Sequence, residues 1–400
     1  MNSLTWRLVL LLVVALAPLQ LAVAQDAPAP PAQPATESTR RLTDDEVLAR
    51  VRSVAETDFK SQQLVGLAVG VIRTRQFAGA VCLGHEDREA NVAVTRDTRF
   101  RWASLSKPVT ATAAMQLRDA GKLDLDADVR TLVPEFPDPG EGRVITTRQL
   151  LCHQSGIVHY ANGKVVRDFR KQYDSEHPFE SVINALDYFR LSPLVAAPGT
   201  AYNYSTHALI LASAVVERAG GQPFWQQVRT RIVEKAKLPT LQPDYQWVDI
   251  PHRAVGYVKR GERIVRGGNT DVSWKLGGGG FISNVDDMAG FAVAMINRQL
   301  VSEESERLMW TRQKTSDGKA TSAGLGFFIS GSGDDLRVSH SGAQEKTRTW
   351  MVFLPRRGFG VVLLTNSEYA SLGELAGKLL AVLATAEVPV PESPVEDDGE

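Results

Sequence analysis

Strand-patterned segments stand at both ends of this chain and helix-patterned ones fill the space between, which restricts the sheets it can build. Val65 to Arg73 is an apolar, β-branched run, and Gln76 to Gly84 resumes after a polar turn, so the two predict an antiparallel hairpin. Far downstream, Gly324 to Ser330, Leu336 to Ser339, Thr349 to Leu354 and Gly358 to Thr365 repeat the strand pattern, parted by Gly, Asp and Pro-Arg-Arg turns. The arrangement predicts an α+β fold of the α/β sandwich type. One antiparallel sheet is assembled from the N- and C-terminal thirds and flanked by helices, with an inserted, mostly helical region.

The helices announce their own ends. Thr43-Asp44-Asp45-Glu46 reads as an N-cap with an acidic first turn, leading a helix through Lys60. Val109 to Ala120 follows, stopped by Gly121, and Pro108 is tolerated because a first-turn amide needs no intrahelical partner. Thr146 and Gln149 form a capping box for a short helix ending at Gly156, and Thr206 to Ala219 ends at Gly220-Gly221. Asn284 or Ser283 caps another helix through Asn297, with Leu276 to Ile282 as its Gly-rich approach. Tyr369 to Thr385 closes the fold.

The termini read differently. Arg7, the apolar run Leu8 to Pro18 and the small-x-small Ala22-Val23-Ala24 predict a signal peptide over residues 1–24 cut after Ala24, hence a secreted or periplasmic protein. Retention of that segment as an uncleaved anchor is the alternative; once it is cut, no membrane span is expected. Residues 25–40, rich in Ala and Pro, and the acidic tail 387–400 read as disordered, leaving 41–386 as the folded domain. Loss of Arg7 moves the formal charge from −1 to about −2 with both signs mixed, which argues against nucleic acid as a partner. Two cysteines, Cys82 and Cys152, exclude a disulfide scaffold; one bridge and two buried thiols are both open, the second being the simpler reading.

Ser104-Leu105-Ser106-Lys107 carries the chemistry. On a helix, three residues advance the chain by about 4.5 Å and keep both side chains on one face, so the lysine can hold the seryl hydroxyl and, if desolvated, act as its base. Ser-x-x-Lys alone arises by chance, and a serine here also reads as a helix N-cap. Its weight comes from three further segments, one of them the Gly-rich helix entry Leu276 to Ile282. Asn203-Tyr204-Ser205-Thr206 delivers a phenol just ahead of a helix, where a nearby lysine is expected to lower its pKa and let it relay a proton. His340-Ser341-Gly342 falls at the end of a strand, where Gly admits a substrate backbone and His and Ser point hydrogen-bonding groups at it. The other six histidines, His153 and His159 among them, read as structural. No spacing suggests a metal site, and no cofactor is needed.

Together these segments resemble the serine hydrolases of the class C β-lactamase and D-alanyl-D-alanine carboxypeptidase group, which also holds esterases and peptidases of the S12 type. The resemblance extends over Phe100 to Thr112, Gly121 to Asp126, Leu150 to Gly156, the Tyr204 segment, Gly277 to Phe291, the His340 motif and Phe359 to Asn366. It implies the β-lactamase/transpeptidase fold, with Ser104 as the acylated nucleophile and Lys107 and Tyr204 shuttling its proton. The backbone amides of Ser104 and Ala343 would form the oxyanion hole, and Thr206, His340, Ser341 and Gly342 would bind substrate.

Two departures from the group narrow the expectation. Tyr204-Ser205-Thr206 stands where class C enzymes carry Tyr-x-Asn, and His340-Ser341-Gly342 where they carry Lys-x-Gly. A threonine offers no amide group, and a neutral histidine attracts a carboxylate less than an ammonium does. His-x-Gly is similar to the third motif of some carboxypeptidases in the group and of its mitochondrial protease branch, and Tyr-Ser-Thr resembles that of the mitochondrial branch. The expected substrate is therefore a small peptide, with an ester or a β-lactam as alternatives. A β-lactam-binding or assembly protein that keeps the fold with little catalysis is the rival of another class.

Overall fold

A computed structural model describes residues 39–168, 172–386 and 390–391. The proposed signal peptide and most of the proposed linker and tail lie outside the described residues. The fold below belongs to the compact unit Arg40–Val390.

The main sheet has seven strands: β1 (Gly66–Arg73), β2 (Gln76–Asp87), β3 (Val92–Ala93), β4 (Phe328–Ser330), β5 (Arg337–Gln344), β6 (Thr347–Leu354) and β7 (Phe359–Thr365), in the order β4-β5-β6-β7-β1-β2-β3. Every pairing is antiparallel. The two ends of the chain meet at the β7–β1 ladder, where Thr365 pairs with Leu67 and Gly360 with Ile72. The fold is thus α+β, with one sheet built from both terminal thirds.

Each face of β1 is covered, which is why its sequence is apolar from Gly66 to Ile72. Leu67, Val69 and Val71 face one core with Val361 and Leu363, closed by α1 (Asp44–Ser61) and α6 (Gly373–Ala386) through Val47, Val51, Leu375 and Leu379. Ala68 and Ile72 face the other core, with Val362, Leu364 and the helices α2 (Ser106–Asp119), α4 (Thr206–Gly220) and α5 (Val285–Ile296). Gly70 on that face lets α5 approach: a Cβ there would stand 2.7 Å from Val362 Cγ2 and 3.1 Å from Val285 Cγ2. Burying one such side chain fully stabilises by about 1.5–3 kcal/mol, so two continuous cores explain why the sheet sits at the centre.

Local signals hold where the partners are local. Thr43 and Glu46 form the capping box of α1, Thr146 and Gln149 that of α3 (Thr147–Leu151), and Asn284 caps α5. Departures have tertiary causes. Helix α3 stops at Leu151, well before Gly156, because His153 adopts a left-handed φ of +61°. Strand β4 shrinks to three residues because Gly326 turns with φ +79° and donates its amide to Leu151 O. The last helix starts at Gly373, since Ser371 N is held by Gln62 Oε1. Cys82 and Cys152 are both free thiols. Among the described residues no helix is long and apolar enough to cross a membrane.

Candidate active site

Ser104 does not stand on α2 but on the single 3-10 turn Ala103–Leu105 that leads into it. Ala103 carries φ +50°, a left-handed conformation that costs a residue with a Cβ about 1–2 kcal/mol. The strain is held in place from both sides: Trp102 N donates to Phe281 O at 2.8 Å, and Thr349 Oγ1 donates to Trp102 O at 2.8 Å.

Lys107 lies one turn on, wholly buried. Its Nζ is 2.9 Å from Ser104 Oγ and 3.1 Å from Thr206 Oγ1, and it donates to Gly278 O at 2.6 Å. No carboxylate is among these partners. Burial, and secondarily the charge of Lys275, hold the amine well below its usual pKa.

The carbonyl partner explains the glycine run. Leu276–Gly279 is itself a short helix, followed by the strand Phe281–Ser283 and then α5, so the segment is more than a helix approach. A Cβ on Gly278 would meet Thr206 Cγ2 at 2.6 Å, and one on Gly277 would meet Ser213 Cβ at 2.5 Å. Glycine lets this short helix press against α4 and aim two successive carbonyls at α2, where Thr110 Oγ1 takes Gly277 and Lys107 takes Gly278.

Tyr204 ends the loop before α4. Ser205 caps the helix by accepting from Ala208 N. Ser205 N donates to His153 Nδ1 and Thr206 N to His159 Nδ1, each at 3.2 Å. The His153 ring lies 4.3 Å from that of Tyr204, centroid to centroid. Two histidines thus hold the Tyr204 turn beside the serine, and both side chains line one cavity.

The expected lowering of the Tyr204 pKa is reversed. Burial pushes the phenol up and outweighs the lowering influence of the nearby Ser104 hydroxyl. Lys107 Nζ sits 5.0 Å from the centre of the ring, over its face, and lends no charge to the hydroxyl.

The third motif also differs in detail. Strand β5 runs on through His340-Ser341-Gly342 as far as Gln344. Gly342 faces the protein's own backbone: a Cβ there would stand 2.5 Å from Trp102 O and 2.1 Å from Thr349 Oγ1. The glycine therefore admits the nucleophile's turn rather than a substrate. His340 is buried behind Tyr204, with Nδ1 2.7 Å from Ser341 O and Nε2 without a partner, and burial drops its pKa to about 3.

A cavity of about 380 Å³ opens over this group. Of the residues singled out in the sequence, Ser104, Tyr204, Thr206, Ser341 and Ala343 line it, whereas Lys107, His340 and Gly342 stand behind the wall. Thr206 spends its hydroxyl on Lys107 as well as facing the cavity. His159, read from the sequence as structural, lines it too, with Tyr160, Lys275, Gln344 and Glu345. Nothing in their spacing marks them, although Lys275 and Gln344 directly adjoin the glycine run and the third motif. Among the described residues no cluster of His, Cys, Asp and Glu is placed to hold a metal ion.

A helix-borne amine beneath a serine, beside an antiparallel sheet covered on both faces, is the arrangement of the serine beta-lactamase class of folds. The chain belongs to the beta-lactamase family, whose model matches residues 51–385. It is 31% identical over 291 residues to the human serine beta-lactamase-like protein LACTB, mitochondrial, covering 58% of this chain and 53% of that one. It is 34% identical over 192 residues to esterase EstB of Burkholderia gladioli, covering 44% and 46%. The chain spans about half the length of these curated relatives. Among solved structures, the octameric penicillin-binding protein homologue from Pyrococcus abyssi superposes with TM-score 0.72 at 23% identity, over 84% of this chain and 77% of that one. The D-amino acid amidase of Ochrobactrum anthropi SV3 does so with TM-score 0.70 at 19% identity, over 86% and 99%.

Proposed function

We propose that the protein is an exported serine hydrolase that works through an acyl-enzyme on Ser104, with amide bonds of small peptides as its main substrates. The observation that carries this reading is the environment of Lys107. A carbonyl can only accept, so one N–H is committed to Gly278; a neutral amine has a second N–H for Thr206 and a lone pair for the Ser104 hydroxyl. Burial without a counterion favours that neutral form.

The chemistry follows from these assignments. Ser104 Oγ attacks the substrate carbonyl carbon as its proton passes to Lys107 Nζ. The oxyanion forms against the amides of Ser104 and Ala343, each such donor contributing about 2.7–4 kcal/mol. Tyr204, a neutral phenol, gives its proton to the departing amine as the C–N bond breaks and recovers one from Lys107. Water then attacks the ester carbonyl, its proton leaving by the same two groups, and Ser104 is restored.

Ester hydrolysis is the second reading, supported by the likeness to EstB. Intact-mass spectrometry with a fluorophosphonate probe tests the nucleophile: one adduct is expected on the folded protein and none on Ser104→Ala. Folded protein that takes up no serine-directed probe would sink the enzyme reading in favour of a binding or assembly role. A panel of D- and L-peptides, acyl esters and a chromogenic cephalosporin then ranks the substrates.

A further inference from the structure

The cavity wall carries a charge that acyl transfer does not require. Lys275 ends the turn Ser273–Lys275, lines the cavity and is 8% exposed. Its Nζ is 3.7 Å from Glu345 Oε2, beyond hydrogen-bond length, and the Glu345 side chain is 51% exposed. The cation is therefore buried while its counterion is wet. The faces of Trp274 and Tyr160, 5.7 and 5.9 Å from the ammonium, keep water from one side of it. Burial depresses the ammonium's pKa and outweighs the opposing pull of Glu345.

A second donor lies along the same wall. Gln344 lines the cavity, and its Nε2 is buried with no hydrogen-bond partner. A buried donor left unpaired costs about 1–3 kcal/mol, so Gln344 Nε2 without a partner, beside a cation whose counterion stands 3.7 Å away, describes a wall short of an acceptor. The same chain segment carries Ala343, proposed above for the oxyanion hole, so an acceptor at this wall belongs to a molecule whose carbonyl is held at Ser104.

We propose that Lys275 and Gln344 recognise a carboxylate on the substrate and make the site selective for acyl donors that carry one negative charge; the inference rests on Ser104 being the acylated residue. A carboxylate offers two oxygens to two donors, one charged and one neutral. Glu345 stands close enough to repel a dianion such as a phosphate monoester. Recognition of a substrate amine by Glu345 is the weaker arrangement, because a carboxylate half in water gains little from pairing.

Binding to the Ser104→Ala protein tests this without turnover, by titration calorimetry on two matched pairs. One pair is N-acetyl-D-alanyl-D-alanine and its carboxamide, with the charge beyond the scissile bond. The other is N-phenylsuccinamate and N-phenylbutanamide, with the charge on the acyl side. Hydrogen bonds to a charged group predict a preference for the carboxylate of about tenfold or more in one pair. Adding Lys275→Met should bring the two members of that pair within about twofold, Lys275→Arg should keep a preference, and Gln344→Leu should reduce it severalfold. Circular dichroism checks that each variant is folded. Equal binding in both pairs, or a preference that survives Lys275→Met, overturns the proposal. A failure of the hydrolase reading shows separately, as absence of the fluorophosphonate adduct on the wild-type protein. Lys275 also lowers the pKa of Lys107, and an amine that gained a proton in Lys275→Met would itself favour the carboxylate, so the comparison is repeated with Lys107→Met added to both proteins.

Discussion

Lys107 Nζ lies nearer to the carbonyl oxygen of Gly278, at 2.6 Å, than to Ser104 Oγ, at 2.9 Å. The amine is anchored by backbone and only then offered to the serine. That anchoring fixes its direction while its burial sets its charge, so position and basicity come from different parts of the fold.

The buried amine makes stability depend on pH in a predictable direction. Its folded pKa is depressed, so between that pKa and the ordinary lysine value the unfolded chain holds a proton there that the folded protein lacks. Stability therefore rises with pH from the folded pKa up to the ordinary lysine value, by up to about 1.4 kcal/mol per pH unit. Urea unfolding at pH 7 and pH 9 should show wild type gaining more than Lys107→Met over that interval. Equal gains would place a charged lysine in the folded protein.

Gly342→Ala should damage both fold and catalysis. Its Cβ would overlap Trp102 O, which is backbone and cannot rotate away, so β5 must shift from the Ser104 turn. Overpacking of this kind costs about 1–3 kcal/mol. Displacement of the Ala343 amide beside it should lower kcat by about 10²–10³. Thermal unfolding and kcat on one ester substrate measure both effects; unchanged kcat would mean that the spacing between strand and turn is not what aligns that amide.

The same residue marks the limit of what could be read from sequence. The strand pattern, the caps and Ser104-x-x-Lys107 are local: their meaning depends on neighbours within a few positions, and the residues at the β7–β1 ladder are apolar enough to announce a central sheet. The purpose of Gly342 depends on Trp102 and Thr349, and the direction of the Tyr204 pKa depends on how much protein covers the phenol. Lys275 and Gln344 gain their significance from a cavity that only tertiary packing creates. His153 and His159 read as structural in sequence, and both do hold the Tyr204 turn, but His159 also faces the cavity.

Those histidines predict an acid limit to stability. His159 and His207 are held at about 4 and His340 at about 3, each chiefly by burial. An unfolded histidine takes its proton near pH 6.5, so between there and the folded values the unfolded chain binds more protons and stability falls as pH drops. Protonation of His159 would also turn Nδ1 into a donor facing Thr206 N. The urea midpoint should decrease from pH 7 to pH 5. In NMR titrations the ring proton of His159 should move near pH 4; a midpoint near 6.5 would show that the ring is not shielded as described.

Tyr204→Phe separates the two substrate classes. The phenol is half-buried on the cavity wall and held above its ordinary pKa by desolvation, so it enters the reaction protonated and is fitted to give a proton rather than to take one. An amine leaves a tetrahedral intermediate only when protonated, whereas p-nitrophenolate leaves as the anion. Removing the hydroxyl should therefore lower kcat/KM for a peptide amide by about 10²–10⁴ and for an acyl p-nitrophenyl ester by far less. The aromatic packing against His153 survives the change, so the fold should persist. Steady-state kinetics on both substrates give the comparison. An equal loss on the two would assign Tyr204 to activation of Ser104, and the general-base role of Lys107 would then have to be shared.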